Sequence, residues 1–223
     1  MDYNRSVRVK IRRNIRTQYQ MIRSLGIAFF IPFLVNDLLI PLGVYLCHKS
    51  YGADEQTYSF LIRYVQSFTP FFSTLWIYMH LVKYIDLKGN EIFYLVHRMK
   101  RKEILFLFLL YVLTNTIPFL WYVTIFPKVY MEWIHIVIVS FFLVSMAYFM
   151  CYLIKSVAIA ILPVLCYTFL SVIQGEGKSY LWSFYEQGGM EMFDFTHKYL
   201  CFLFLGMIFF WLGSFLNKIY TDY

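Results

Sequence analysis

The chain has 223 residues, 60% of them hydrophobic and 15% charged, with a formal net charge of +7. A soluble globular domain is about 45–50% apolar and about 25% charged, so this composition excludes an ordinary water-soluble fold. The basic excess is a topology signal and a hold on anionic lipid, and it sets aside a nucleic-acid patch.

The first predicted element covers residues 1–23. Val7, Ile11, Ile15, Tyr19 and Ile22 share one helical face, while Arg8, Arg12, Arg13, Arg16 and Arg23 occupy much of the rest. A basic helix with a single apolar stripe lies in the membrane interface and does not cross it. The stripe favours this helix over a disordered basic tail.

Six apolar blocks follow: 25–47, 60–82, 104–126, 133–154, 157–173 and 199–216. About 20 helical residues cross a hydrocarbon core of roughly 30 Å, so each block reads as a span. Only Lys155 and Ser156 separate the fourth from the fifth. A single helix over 133–173 would extend roughly 60 Å, twice the hydrocarbon thickness, so a tight turn near Lys155 is expected. Pro163 interrupts the short fifth block, which predicts a kink or a thin local membrane there. The first block is too long for a signal-peptide core, and no small-residue cleavage site follows it.

Six spans place fifteen of the 20 lysines and arginines on one side and only Lys49, Arg63, Lys128, Lys178 and Lys198 on the other. The positive-inside rule puts both termini in the cytoplasm. The cytoplasmic segment 83–103 reads KYIDLKGNEIFYLVHRMKRKE. Asn90 can cap a short helix from about Glu91 to His97, with a basic run behind it. It suits either a docking knob for a cytoplasmic partner or a solvated loop. On the outer side, 174–198 carries Trp182, Phe184, Tyr185, Phe193 and Phe195 around Gly188 and Gly189. Interfacial aromatics, or two short helices dipping back with the glycine pair as their turn, fit equally.

Chemistry-bearing residues are sparse. Gly175-Glu176-Gly177-Lys178-Ser179 ends like a phosphate-binding loop, but the required earlier glycine is Val172. Cys47 and His48 are adjacent without a third orienting group, which argues against a nucleophile. The histidines lack metal-ligand spacing, and Cys47, Cys151, Cys166 and Cys201 read as small apolar residues. No catalytic residue and no metal site is expected.

Polar groups inside the blocks are Asn36, Asp37, Arg63, Gln66, Asn115, Glu132 and His135. An ionised side chain at mid-bilayer costs about 2.5–3.5 kcal/mol, so such groups face protein or water. Asp37 lies deepest. With Asn36 and Asn115 it lines a translocation path or a subunit contact, or it pairs within the bundle, for instance with Arg63. Arg63, Glu132 and His135 lie nearer the interface, where snorkelling suffices.

An interfacial amphipathic helix, six spans, an amphipathic knob after span two and a partly re-entrant loop before span six resemble the type-two ABC exporter permeases. Within the knob, Asp86, Gly89, Leu95 and the run Arg98-Met99-Lys100-Arg101-Lys102 fall in that family's order before span three begins at Ile104. The resemblance implies an all-α integral membrane fold, a single permease domain over 1–223 with the bundle over 25–217. It implies a coupling helix whose contacts are Asp86, Gly89, Glu91, Phe93, Tyr94 and Arg98, and an elbow carrying Arg8, Arg12, Arg13 and Arg16. It further implies two separate ATPase chains that hold ATP and Mg, a second permease chain, identical or homologous, and export of a hydrophobic or amphipathic substrate, with peptide a candidate. The chain itself would bind no cofactor and be no enzyme. A bacterial plasma membrane is the implied location. The alternatives are an accessory or immunity-type membrane protein that transports nothing and an intramembrane lipid- or peptide-modifying enzyme.

Overall fold

The computed structural model describes residues 23, 26–86, 100–175, 182–186 and 195–221. Among them every regular element is helical and none is a strand. We label the long helices α1 (Phe30–Tyr51), α2 (Glu55–Ile85), α3 (Lys100–Ile125), α4 (Val129–Ile154), α5 (Val157–Gly175) and α6 (Leu200–Thr221). Five stretches are long and apolar enough to cross a membrane: Phe30–Tyr51, Arg101–Ile125, Val129–Ile154, Val157–Gly175 and His197–Ile219. The longest helix, α2, is not among them, because it carries Arg63, Gln66, His80 and a series of hydroxyls.

The turns follow from local chemistry. Gly52 ends α1 at φ 75, which a side chain would oppose, and the Asp54 carboxylate accepts the Glu55 N–H at 2.7 Å to start α2. The turn expected near Lys155 is present. Lys155 adopts φ 59 and its N–H bonds back to Cys151 O at 3.0 Å, closing α4 before α5 begins at Val157. Pro163 does not break α5, which continues through it to Gly175.

Cross-helix contacts fix the directions. Phe29 stacks on Trp76 with centroids 4.6 Å apart, Asn36 meets Thr69, and a Cβ on Gly43 would lie 2.9 Å from the Phe60 ring, so α1 runs antiparallel to α2. Gln66 meets Glu132 and Ser73 meets Ser140, so α4 is parallel to α2. α3 and α5 run opposite to α2, with Glu103 against His80 and Ala160 against Tyr78. The six long helices therefore alternate in direction along the chain, and α2 lies beside the apolar helices from Phe60 to Asp86.

α4 is the axis of the bundle: 67% of its most apolar stretch is buried, against 22% for α1 and for α6. Lipid tails are as apolar as leucine, so helices in a bilayer associate through close packing rather than through escape from the solvent. Gly206 and Gly213 supply that closeness. A Cβ at Gly213 would lie 2.6 Å from Tyr148 Cδ1, and one at Gly206 would lie 3.0 Å from Phe141 Cδ1.

Candidate functional site

α2 explains its own low hydropathy. Gln66, Thr69, Ser73 and His80 recur at three, four and seven residues, placing them on one helical face, and all four are buried. This polar stripe faces the interior of the bundle, and three clusters hang on it.

The first cluster surrounds Gln66. Its Nε2 donates to Glu132 Oε2 at 2.8 Å, and its Oε1 accepts the Glu186 backbone N–H at 2.8 Å. His135 Nδ1 lies 3.2 Å from the same Glu132 oxygen, and the His135 ring sits 4.3 Å from the ring of Tyr199. Lys198 Nζ donates to Glu186 Oε1 at 2.6 Å, with both side chains almost fully enclosed (3% and 7% exposed). Glu132 and His135 are thus not snorkelling groups at an interface: they are 1% and 0% exposed. Gln66 and the segment bearing Glu186 cover them. Of the three residues assigned to snorkelling, only Arg63 is exposed.

Trp182–Glu186 is non-helical chain inserted between helices, with Ser183 through Glu186 buried. Phe184 N–H donates to Ser171 Oγ at 2.6 Å, Ser183 Oγ donates to Ser171 O at 2.8 Å, and Tyr167 OH donates to Trp182 O at 2.8 Å. Tyr199 OH donates to Phe184 O at 3.3 Å. Gly175 admits the strap, since a Cβ there would lie 2.6 Å from Tyr185 O. Irregular backbone at membrane depth is tolerated only where protein or a water-filled cavity satisfies it, and here serines, tyrosines and Gln66 do so. The strap replaces the two short helices that the sequence admitted over its described part. Gly188 and Gly189 lie outside the described residues.

The second cluster is in mid-helix. Asn36 Nδ2 donates to Tyr111 OH at 2.7 Å, Tyr111 OH donates to Thr69 O, and Thr69 Oγ1 donates to Asn36 Oδ1 at 3.4 Å. Asn115 Nδ2 donates to Tyr111 O at 2.8 Å. Asn36 and Asn115 are therefore tied into the bundle. Both Asn36 and Asp37 belong to a π-helical turn, Leu34–Leu39. Pro41 has no N–H to return to Asp37 O, and the ladder re-forms with Ile40 N–H bonding Val35 O, five residues back. The wider turn sends Asn36 inward and Asp37 sideways, into a groove of about 360 Å³ lined by Phe33, Asp37, Pro41, Thr114, Ile117, Pro118 and Trp121. Asp37 Oδ1 is buried without a hydrogen-bond partner among the described residues, and no pairing with Arg63 forms.

The third cluster is at the far end of α2. His80 Nε2 lies 2.8 Å from Glu103 Oε2. Both carboxylate oxygens of Asp86 accept the Val157 N–H at 3.2 Å, capping α5. Of the other residues implied for coupling, Gly89, Glu91, Phe93, Tyr94 and Arg98 lie outside the described residues, as do Arg8, Arg12, Arg13 and Arg16.

Sequence reasoning missed Thr69, Tyr111, Glu186 and Lys198. The first was recoverable from its place on the polar face of α2, whereas the other three gain meaning only through partners distant in sequence. Among the described residues no three His, Cys, Asp or Glu side chains are grouped to hold a metal ion, and all four cysteines are free. His48 Nδ1 is buried without a hydrogen-bond partner among them.

These helices and the polar interior they enclose define a multi-pass membrane protein. Comparisons with protein-family models, with characterised proteins and with solved structures find no match for the chain.

Proposed function

We propose that the chain is the membrane-spanning permease subunit of an ATP-driven exporter, with α2 as a sixth span and both termini in the cytoplasm. Residues 1–23 serve as the interfacial elbow. The segment that joins α2 to α3, with its knob around Gly89 to His97, serves as the coupling element that receives two ATPase chains, which carry ATP and Mg. A second permease chain, identical or homologous, completes the path, and of Asn36, Asp37 and Asn115 only Asp37, the one not tied into the bundle, stands toward it.

The observation that carries this reading is the double acceptance of the Val157 N–H by Asp86. Asp86 stands where α2 ends and the proposed coupling segment begins, and its carboxylate grips the first turn of α5. A displacement of that segment is delivered at once to α2, to α5 and, through Lys155, to the end of α4. This mechanical arrangement suits a subunit moved from outside by a partner. The buried charges of the Gln66 cluster support the same reading, since ionisable groups enclosed within a membrane bundle mark moving or conducting parts.

The test is purification of the tagged full chain in mild detergent from its native host, with mass spectrometry of what accompanies it. A nucleotide-binding ATPase in roughly equal amount is expected, and Asp86→Ala or Glu91→Lys should uncouple ATP hydrolysis from export. A chain recovered alone, with such an ATPase expressed and stable under the same conditions, overturns the exporter and favours an accessory membrane protein.

A further inference from the structure

The groove between α1 and α3 carries a feature that bundle packing does not explain. It is about 360 Å³, within the size range of small-molecule sites, and its walls are apolar apart from Asp37 and Thr114. It opens sideways, beside Ile117, which is 72% exposed. Among the described residues no donor reaches Asp37 Oδ1. Asn36 next to it is committed to Tyr111, and Thr114 Oγ1 donates to Tyr111 O at 2.9 Å. Among the described residues no lysine or arginine lines the groove. A carboxylate in apolar surroundings is stabilised by meeting a cation, and Trp121 in the same wall is the side chain that best receives one on its face.

We propose that this groove binds a hydrophobic ammonium compound from the membrane, its cationic head between Asp37 and Trp121 and its chain along Phe33 and Ile117. A second copy of this chain is the weaker occupant. The exposed neighbours on this face are Leu34, Leu38, Leu113 and Leu120, so a symmetric contact offers Asp37 leucines or another Asp37 and no cation. Use of the site as the cargo site rests on the exporter reading; binding does not.

The experiment uses the full chain in nanodiscs of digalactosyldiacylglycerol, an uncharged lipid without an ammonium group, titrated with 3-bromododecyltrimethylammonium, whose bromine lies close to the cationic head and quenches tryptophan fluorescence on contact. Neutral 3-bromododecan-1-ol and anionic 3-bromododecyl sulfate are the matched controls, and Trp121→Phe isolates the signal of Trp121. Saturable quenching by the ammonium at concentrations at least tenfold below either control is expected. Asp37→Asn should abolish that preference while leaving the alcohol titration unchanged, and Asp37→Glu should retain it. Equal titrations for the three probes, no saturable quenching at Trp121, or an Asp37→Asn chain that still prefers the ammonium each overturn the site. The three-probe comparison needs no variant, so it stands if Asp37→Asn fails to fold. Recovery of an ATPase is a separate measurement: losing the partner leaves the ammonium titration intact, and losing the titration leaves the partner intact.

Discussion

Replacing Lys198 with methionine tests whether the strap is held by charge or by shape. Lys198 and Glu186 meet at 2.6 Å with 3% and 7% of their side chains exposed, so neither is screened by solvent. An exposed ion pair contributes about 0.2–1 kcal/mol, but removing one member of an enclosed pair takes the counter-charge from the other inside a low-dielectric interior and costs about 3–5 kcal/mol. Lys198→Met and Glu186→Gln should each fall in that larger range. The double variant removes both charges and should lose less than the two single losses combined, by about 2 kcal/mol or more. The assay is reversible unfolding in mixed micelles of mild detergent and sodium dodecyl sulfate, followed by tryptophan fluorescence. Single losses below about 1 kcal/mol, or losses that simply add, would refute an electrostatic lock and leave the serine and tyrosine bonds as what holds Trp182–Glu186.

Three further outcomes are expected. Gly213→Ala should lower stability by about 1–3 kcal/mol in the same assay, and by more than Gly206→Ala, because its Cβ would sit 2.6 Å from Tyr148 rather than 3.0 Å from Phe141. Gln66→Leu deprives the Glu186 N–H and the Glu132 carboxylate of their shared partner, so a cysteine placed at Ser183 in a chain lacking the native cysteines should gain reactivity toward a water-soluble maleimide; unchanged protection would show that Gln66 is dispensable to the strap. Cysteines at Ser50 and at Ser156 should label from opposite faces of sealed vesicles, since α1 ends at the first and α5 begins beside the second; labelling from one face would contradict the alternating helices.

The helices were legible where composition alone decides them. The break at Lys155 followed from length, because no single helix of such extent fits a bilayer, and the left-handed residue occurs at that position. Asp37 stood out because depth within an apolar block needs no partner to be noticed. The clusters were less legible because a linear pattern does not tell which polar residues meet. Glu132 and His135 sit near the start of α4, and position alone assigned them to the interface. What encloses them is Gln66, 66 residues before Glu132, and a strap whose Glu186 lies 120 residues beyond Gln66. The i,i+3 spacing of Glu132 and His135 was the available hint of a common inward face. The π-helical turn at Leu34–Leu39 had only Pro41 as its sign, and a proline predicts a disturbed ladder without predicting how it re-forms.

The way the strap is anchored also sets an order of assembly. Gln66 and Glu132 leave the ribosome early, Glu186 follows, and Lys198 comes only with the helix after it. Until that helix enters the membrane, the Lys198 ammonium cannot reach the Glu186 carboxylate, and Tyr199 cannot close over Phe184. Insertion of the final helix is therefore the event that seals the strap over Glu132 and His135, because both of its closing contacts come from the turn that precedes that helix.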